Sequence, residues 1–453
     1  MVSVSGIRGI FGSHLTPENL VTYAAAFGHW ADGGPVVVGR DSRTTGQICE
    51  DLVCATLQSC GCDVIRTGIA PTPTVAMAVE RHQAAGGVIL TASHNPAEWN
   101  ALKLLNQKGE FLDQKQGEQV LKRAEEKAFT FRPHDRIGST RKDPQAIQAH
   151  IDAILQLPYI HPDEIRNAGF SVAVDAVNGA GSIALPQLFD QLGVKVHPIH
   201  CTPNGHFPHN PEPLPEHLTE ICEYIQNNPC DLGLATDPDA DRLALIDETG
   251  TLFGEEYTQV SAFDFLLSKK KGPTATNLSS SRAAEEISRK YGVTCHRSPV
   301  GEINVVKVMQ KVGAVIGGEG NGGVINPDLH YGRDALAGAA MMLQLLAERK
   351  LTASAYRATL PDYQIVKQKV GLNRLGMEAD SALALLAKRF AGQKPDTSDG
   401  VKIDFDEGWV HIRKSNTEPI LRIYSEAASA EQANALAEQV LQEATNDNQT
   451  ETP

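Results

Sequence analysis

The pattern of apolar and polar positions changes several times along the 453 residues of the chain. Short apolar runs typical of buried strands alternate with stretches in which apolar residues recur every three to four positions, as in helices. In the first 145 residues, helices are predicted after Thr16-Pro17 and near 45–60, and strands at 36–38, 63–65 and 87–90. This order predicts α/β layering with a mostly parallel sheet.

The alternation restarts twice and then changes character. In chain order, the signals are a strand at 170–175, a helix at 182–192, strands at 194–199 and 231–235, a helix at 256–268, a strand near 274–278, a helix at 282–290 and a strand at 314–316. From about residue 362, helices at 379–390 and 430–444 accompany short strands around 409–412 and 421–424, which is typical of an α+β module. We therefore predict four domains, 1–145, 146–251, 252–361 and 362–453, of which the first three are similar α/β layers.

Composition and charge narrow the class of protein. The formal net charge of −14 argues against nucleic-acid binding, which needs a basic face. The sequence contains neither a run of about 20 apolar residues nor a signal peptide, so we expect a cytoplasmic protein with no membrane partner. Four of the eight cysteines cluster without typical zinc spacing; we interpret Cys49, Cys54, Cys60 and Cys62 as buried thiols, with zinc as the alternative.

A hydroxyl follows the apolar run 87–90. Residues 91–96 read Thr-Ala-Ser-His-Asn-Pro, which places Ser93 just past the carboxyl end of a predicted strand, where open α/β sheets gather their chemistry. His94 is adjacent and Lys103 follows ten residues later. A serine that carries a phosphoryl group needs a proton-transfer group and nearby positive charge, which these residues offer. The alternative is simple turn chemistry, since serine, asparagine and proline all favour turns.

An acidic loop lies between two apolar strand signals. Asp237, Asp239 and Asp241 stand at alternate positions and can hold one hard divalent cation, for which we predict magnesium. The segment differs from a calcium-binding EF-hand, because Arg242 occupies the position that requires glycine there. A solvated acidic turn is the other interpretation.

Two further loops favour recognition of hydroxyl groups and of a phosphate. Gly318–Gly323 follows a strand but precedes Val324-Ile325, so it is no dinucleotide fingerprint; it would present Glu319 and Asn321 to hydroxyls, unless it is an ordinary loop. Residues 413–417, Arg-Lys-Ser-Asn-Thr, combine a guanidinium with hydroxyls and loop N–H groups, as in a phosphate cradle. A helix-capping box formed by Ser415 with Glu418 is the alternative there.

Taken in order, these motifs resemble those of the α-D-phosphohexomutases, the family that contains phosphoglucomutase, phosphomannomutase and phosphoglucosamine mutase. An opening Ser5-Gly6-Ile7-Arg8-Gly9 and the stretch Gly39–Arg43 support the resemblance. It implies four domains around a central cleft and an isomerase that interconverts hexose 6-phosphate and hexose 1-phosphate. It further implies a phosphoserine enzyme, a hexose 1,6-bisphosphate intermediate that also serves as activator, and a monomer or homodimer.

The same resemblance assigns roles to individual residues. Ser93 would be the phosphoserine, and one Mg²⁺ per chain would be held by the seryl phosphate and three aspartates. Acid–base and charge-stabilising roles would fall to Lys103, His94 and Arg8. The remaining implied assignments are Asp237, Asp239 and Asp241 on the metal, Arg242 beside it, Glu319 and Asn321 on sugar hydroxyls, and Arg413, Ser415, Asn416 and Thr417 on the phosphate that does not react.

One departure from the family pattern concerns the sugar. Many members have Gly-Glu-x-Ser-Gly-His in the sugar loop, whereas this chain has Asn321 and Gly323 in place of the serine and histidine. This variant resembles proteins called phosphoglucosamine mutases, so we favour glucosamine phosphate, with glucose and mannose phosphates as alternatives. A metal-dependent sugar phosphatase and a non-catalytic sugar-phosphate binding protein are the rival classes.

Overall fold

The computed structural model describes residues 2–3, 6–372, 377–414 and 420–445. The α-helices are Pro17–Trp30, Gly46–Ser59, Thr72–Arg81, Gln114–Glu125, Ala146–Leu155, Pro162–Ala168, Gly181–Gln191, Thr219–Asn227, Tyr257–Lys269, Ala283–Lys290, Glu302–Val312, Ala335–Arg349, Ala353–Arg357, Ala379–Arg389 and Ala430–Thr445. The chain forms two compact units, one comprising Met1–Lys270 with Val315–Arg357 and the other Lys271–Ala314 with Ala358–Pro453.

The first sheet of the first unit is mixed, so the prediction of a mostly parallel sheet is wrong. Its seven strands lie in the spatial order Val2–Ser3, Gly6–Ile10, Trp99–Leu105, Gly86–Leu90, Val36–Arg40, Val64–Ile69 and Thr140–Lys142. The last four are parallel to one another, and the first three are antiparallel to their neighbours. The antiparallel strand Trp99–Leu105 is buried along most of its length, so it lacks the alternation that marks a half-buried strand.

The helices that cover this sheet begin and end where local chemistry predicts. Thr16 caps the helix Pro17–Trp30, because its Oγ1 accepts a hydrogen bond from the N–H of Asn19 at 3.3 Å and proline follows it. The helix packs with its neighbour Gly46–Ser59 in an apolar core. All four clustered cysteines are at most 2% exposed in that core, which confirms the interpretation as buried thiols.

The second sheet of this unit has four strands, in the spatial order Leu243–Asp247, Leu232–Thr236, Ser171–Asp175 and Lys195–Ile199. The last three are parallel, which confirms the α/β prediction for this part of the chain. Leu243–Asp247 returns antiparallel to Leu232–Thr236 and is fully buried. The loop of this hairpin is the acidic segment, so it emerges at the carboxyl end of a central strand.

A short hairpin completes the first unit. Ile316–Glu319 pairs antiparallel with Gly323–Ile325. As predicted, no helix begins directly after the glycine-rich loop. The helix Ala335–Arg349 begins nearby with Asp334 as its cap, whose Oδ1 accepts the N–H groups of Leu336 and Ala337.

The second unit contains the α+β module that the sequence predicts. Its antiparallel sheet has the order Gln364–Gly371, Ile420–Ala427, Gly408–Lys414 and Val401–Asp404. The helices Ala379–Arg389 and Ala430–Thr445 share an apolar core with this sheet. A separate parallel pair, Thr274–Asn277 with Cys295–Ser298, belongs to the same unit. Among the described parts of both units, no helix is long and apolar enough to cross a membrane.

Candidate active site

Ser93 lies in the loop that follows the buried strand Gly86–Leu90, and it is 3% exposed. Its φ of +49° lies in the left-handed region, which is unusual for any residue other than glycine. Such conformations recur at functional sites. The N–H of Ser93 donates to Thr91 Oγ1 at 2.9 Å, which holds this conformation from within the loop. Ser93 Oγ donates to Asp237 Oδ2 at 2.6 Å, so the predicted nucleophile and the acidic loop are in contact.

A buried arginine holds the Ser93 loop in place. The Arg43 side chain is 0% exposed and pairs with Asp41, with Nε 3.0 Å from Oδ2. Its two terminal nitrogens donate to backbone carbonyls of the loop, namely those of Ser93 at 2.6 Å, Asn95 at 2.6 Å, Trp99 at 3.0 Å and Pro96. Because the guanidinium is planar and rigid, these contacts fix the path of the loop around the serine.

The acidic loop brings three carboxylates together. Asp237, Asp239 and Asp241 are each 0% exposed, and one ligand atom from each lies within 4.8 Å of the others. Asp237 Oδ1 accepts the backbone N–H groups of Asp241 and Arg242, both at 3.2 Å, so the loop folds back on its first aspartate. The interpretation as a solvated acidic turn is therefore wrong.

Cations hold the other two aspartates by one oxygen each. Asp239 Oδ2 accepts from Lys103 Nζ at 2.8 Å and Thr72 Oγ1 at 2.7 Å. Asp241 Oδ2 accepts from Arg333 Nη2 at 2.6 Å. The Oδ1 atoms of Asp239 and Asp241 are buried and accept no hydrogen bond from the residues that the structure describes. Buried carboxylate oxygens of this kind need a positive partner, and an oxygen-only donor set fits a hard cation such as Mg²⁺.

The charges of the triad show the same need. Burial, followed by repulsion from Asp239 and Asp241, raises the pKa of Asp237 well above its usual range. Burial also acts to raise the pKa of Asp239, but attraction to Lys103 outweighs it and the pKa lies below the usual range. A bound divalent cation removes the repulsion that Asp237 experiences.

His94 and Arg8 flank the serine. His94 Nδ1 is 3.4 Å from Ser93 Oγ. Burial, with repulsion from Arg242 and Arg8, lowers the pKa of His94 to about 2, so its imidazole is neutral at physiological pH. Arg8 Nη1 donates to Asn95 Oδ1 at 2.9 Å, and Arg8 therefore braces the same loop as Arg43.

The predicted sugar-recognition residues also lie in the first unit. Glu319 is the last residue of its strand, is 3% exposed and accepts from Arg333 Nη1 at 3.2 Å. Asn321 Oδ1 is buried without a hydrogen-bond partner in the described part of the chain, so it can accept from a ligand hydroxyl. Arg242 Nη1 lies 3.4 Å from Glu212 Oε1, and its Nε lies 4.0 Å from Asp241 Oδ1, beside the triad.

The predicted phosphate cradle belongs to the second unit. Arg413 is at the end of the strand Gly408–Lys414, and its Nη2 lies 2.9 Å from Asp399 Oδ2. Asp399 Oδ2 also accepts the N–H of Val300 at 2.8 Å. Ser415, Asn416 and Thr417 lie outside the described residues.

Sequence reasoning missed three residues that position the site: Arg43, Thr72 and Arg333. Arg43 had a signal, since the stretch Gly39–Arg43 follows a predicted strand end just as Ser93 does. Arg333 and Thr72 had none, because each is far along the chain from the aspartate that it contacts, and no local pattern connects them.

Domains of one known family match nearly the whole chain. The α/β/α domains I, II and III of phosphoglucomutase/phosphomannomutase match residues 2–131, 148–250 and 254–363, in that order. The C-terminal domain of the same family matches residues 367–443. The chain therefore belongs to the phosphoglucomutase/phosphomannomutase family, with its four-domain architecture of mixed α/β sheets. Members of this family are phosphohexomutases, which are isomerases, and this protein is an enzyme of that class.

The names of individual relatives differ in the sugar that they mention. A "Phosphoglucomutase/phosphomannomutase" of Thermococcus kodakarensis is 38% identical over 94% of both chains. A "Probable phosphoglucosamine mutase" of Methanopyrus kandleri is 34% identical over 96% of this chain and 95% of its own. Among solved structures, a phosphoglucomutase/phosphomannomutase family protein from Burkholderia thailandensis has the same fold, with a TM-score of 0.86 at 23% identity over 100% of this chain and 99% of its own.

Proposed function

We propose that this phosphohexomutase interconverts hexose 6-phosphate and hexose 1-phosphate through a phosphorylated Ser93. The contact between Ser93 Oγ and Asp237 Oδ2 at 2.6 Å carries this proposal, because it places a hydroxyl directly on a buried carboxylate triad. Asp237, Asp239 and Asp241 would hold one Mg²⁺ together with an oxygen of the seryl phosphate. When bound, the ion supplies Lewis-acid stabilisation of phosphate charge.

The reaction requires two phosphoryl transfers of opposite direction. In the first, the bond between phosphorus and Ser93 Oγ breaks and a new bond forms to a hydroxyl of the sugar monophosphate. That hydroxyl loses a proton, and the serine oxygen gains one. The product is a hexose 1,6-bisphosphate, which turns over and returns its other phosphoryl group to Ser93 in the reverse of the same step. Added bisphosphate would also load an unphosphorylated enzyme, which is why we propose it as an activator.

Residues around Ser93 divide the remaining tasks. We assign proton transfer at the reacting oxygens to Lys103, which already lies at the triad through Asp239. His94 is the competing group, since it is neutral and 3.4 Å from Ser93 Oγ. The backbone N–H groups that bind Asp237, and the guanidinium groups of Arg8 and Arg242, supply fixed positive charge around the transferring group.

Substrate recognition falls to other loops. Glu319 and Asn321 would bind sugar hydroxyls, and the buried unpaired Oδ1 of Asn321 supports this assignment. Arg413, with Ser415, Asn416 and Thr417, would bind the phosphate that does not react. Arg413 is already paired with Asp399, so a phosphate would exchange one anionic partner for another.

For the sugar we favour glucosamine phosphate, supported by the Gly-Glu-Gly-Asn-Gly-Gly loop and by the name of the Methanopyrus kandleri relative. Glucose and mannose phosphates are the alternatives, supported by the name of the Thermococcus kodakarensis relative. We keep the cytoplasm as the expected compartment, which the eight free cysteines support because disulfides are rare in reducing compartments.

Intact-protein mass measurement tests the proposal together with a mutase assay. After incubation with hexose 1,6-bisphosphate, we expect the mass of one phosphoryl group on Ser93 and interconversion of the 1- and 6-phosphates of at least one of the three sugars. Ser13→Ala, at an exposed loop position, is the matched serine control and should load normally. Release of inorganic phosphate without interconversion would instead identify a phosphatase. A protein that neither becomes phosphorylated on Ser93 nor converts the sugar phosphate would be a binding protein.

A further inference from the structure

One guanidinium contacts both the predicted sugar loop and the predicted metal site. Arg333 donates through Nη2 to Asp241 Oδ2 at 2.6 Å and through Nη1 to Glu319 Oε2 at 3.2 Å. All three side chains are at most one-tenth exposed. The two acids come from different hairpins, the acidic loop and the glycine-rich loop, so Arg333 is the side chain that joins them.

The backbone that directly follows Arg333 is fixed to both hairpins, so the guanidinium is presented from a rigid support. The N–H of Asp334 donates to the carbonyl of Val324 at 2.9 Å, and the N–H of Ala335 donates to the carbonyl of Ala240 at 3.3 Å. Asp334 also caps the helix Ala335–Arg349. Arg333 is therefore anchored to both loops by backbone as well as by side chain.

Gly323 leaves the room that the arginine occupies. A Cβ built on Gly323 would lie 2.2 Å from Arg333 Cδ and 2.8 Å from Cγ, far inside van der Waals contact. The glycine has no positive φ, so its conformation does not explain it and the space for Arg333 does. Arg333 can thus occupy this position only because the last residue of the sugar loop is a glycine.

The contacts of Asp241 indicate how Arg333 affects the predicted metal site. Arg333 binds Oδ2, while Oδ1 accepts no hydrogen bond from the described residues and stays on the triad. An outer partner that binds one carboxylate oxygen turns the other oxygen toward a metal ion. Glu319 binds the other terminal nitrogen of the same guanidinium, so the positive charge that Arg333 offers to Asp241 depends on the charge of Glu319.

We infer that Arg333 is a positioning residue that couples sugar recognition at Glu319 to metal binding at Asp241. This inference rests on the proposed function, because it assumes the sugar and metal roles of these two acids. When a sugar hydroxyl binds Glu319, the Glu319–Arg333 pair weakens and the guanidinium shifts its charge toward Asp241. Metal and sugar affinities are therefore linked in both directions.

A double-mutant cycle read by Mg²⁺ calorimetry tests the coupling without relying on turnover. Glu319→Gln leaves the charge of Arg333 to Asp241 alone, which draws negative charge away from this metal ligand, so Mg²⁺ affinity should fall by about threefold to tenfold, as expected for residues of one hydrogen-bond network. In the Arg333→Gln background, the same Glu319→Gln change should alter Mg²⁺ affinity by less than about twofold. Long-range loss of one negative charge affects both backgrounds alike and cancels in the cycle.

Gly323→Ala provides a second, independent perturbation. The added methyl group must displace the Arg333 side chain, so this variant should reduce the effect of Glu319→Gln on Mg²⁺ affinity to the level of the Arg333→Gln background. Gly392→Ala is the matched control, since a Cβ there would meet nothing within 4 Å, and it should leave the wild-type coupling intact.

The possible results separate this inference from the proposed function. Equal effects of Glu319→Gln with and without Arg333 would overturn the coupling. A wild-type protein that binds no Mg²⁺ would overturn the metal assignment and the coupling with it. Mg²⁺ binding with the expected cycle but no sugar-phosphate interconversion would leave the link between Glu319 and the metal site standing and overturn the proposed function alone.

Discussion

Arg43 Nη2 donates a hydrogen bond to the backbone carbonyl of Ser93 at 2.6 Å. The same side chain binds three further carbonyls of the loop, and Asp41 neutralises its charge. Asp41 Oδ2 also accepts from Thr91 Oγ1, which in turn accepts the N–H of Ser93. A single buried ion pair thus holds both sides of the serine in its left-handed conformation.

We therefore expect Arg43→Lys to damage catalysis although it keeps the charge. A lysine cannot reproduce the planar fork, and each buried carbonyl left without a donor costs about 1–3 kcal/mol of unfolding free energy. Misplacement of the nucleophile by about 1 Å should slow phosphorylation of Ser93 by roughly 10²-fold. Quenched-flow mass measurement of Ser93 phosphorylation and chemical denaturation report the two effects. Arg40→Lys, at an arginine of the same stretch that pairs with Glu50, is the control; wild-type phosphorylation by Arg43→Lys would contradict this role.

Ser93→Ala should abolish turnover and preserve the fold. The loop is held through the backbone of Ser93 and through Thr91, not through the serine hydroxyl, so the alanine variant keeps these contacts. The variant loses the contacts of the hydroxyl with Asp237 at 2.6 Å and with His94 at 3.4 Å, and the shorter one is worth about 1.5–3 kcal/mol at most. Mutase assays and thermal denaturation measure the two properties. Retention of more than a small fraction of wild-type activity would show that Ser93 does not carry the phosphoryl group.

Much of this site could be predicted because its chemistry is local in sequence. Ser93 follows a buried strand directly, and Asp237, Asp239 and Asp241 occupy one hairpin loop, so their spacing alone predicts convergence. Helix limits such as that of Pro17–Trp30 follow from cap residues beside the helix. These features depend on neighbours in the chain, which a sequence shows.

The antiparallel strand Trp99–Leu105 could not be predicted in the same way. Its polar residues are buried, since Asn100 is 0% and Lys103 8% exposed, so neither an alternating nor a continuous apolar pattern results. Asn100 is stabilised by Thr45 and Lys103 by Asp239, partners that lie far away in the sequence. The same reason hid Arg333, whose two carboxylate partners come from separate hairpins.

Chelation of Mg²⁺ should remove activity with little loss of thermal stability. Without the ion, Lys103 and Arg333 still pair with Asp239 and Asp241, which limits repulsion in the triad and spares the fold. A ligand that binds only the native state contributes about 2.7 kcal/mol at a hundredfold excess over its Kd, so the melting temperature should change by a few degrees. Calorimetry with and without chelator measures this change. A collapse of the melting temperature, or tetrahedral zinc in the site, would contradict the assignment.

Lys103 can be tested as a proton-transfer group with two substitutions. A positioned acid or base contributes about 10²–10⁴-fold in rate, so Lys103→Met should lower kcat by that order with a smaller change in KM. Lys103→Arg keeps a cation beside Asp239 but cannot release its proton, so it should be nearly as inactive. Steady-state kinetics of both variants provide the measurement. Substantial activity in Lys103→Arg would reduce the role to charge stabilisation, and a larger loss in His94→Ala would transfer proton transfer to His94.

The ionised carboxylate of Asp334 stabilises the fold, and this stabilisation should disappear in acid. Its Oδ2 accepts from His150 Nε2 at 2.8 Å and from His330 Nε2 at 3.1 Å, while its Oδ1 caps a helix. Burial acts to raise the pKa of Asp334, but attraction to His150, together with hydrogen bonds from both histidines, holds it below the usual range. Because the folded pKa is depressed, the stabilisation is fully present above the unfolded pKa of about 3.9 and is lost as pH falls below that value.

Asp334→Asn should therefore lower the unfolding free energy by about 1.5–3 kcal/mol at pH 7, the strength of hydrogen bonds to a charged group. Asparagine is also a good helix cap, so the helix Ala335–Arg349 should keep its start and the loss should report the histidine contacts. As pH falls below about 4, the stability of the wild type should move towards that of the variant, because the carboxyl takes up a proton in the unfolded chain while it stays ionised in the folded one. Urea denaturation between pH 7 and pH 3 measures both curves, with the exposed Asp32→Asn as control. Parallel curves for wild type and Asp334→Asn would show that the charge on Asp334 does not stabilise the fold.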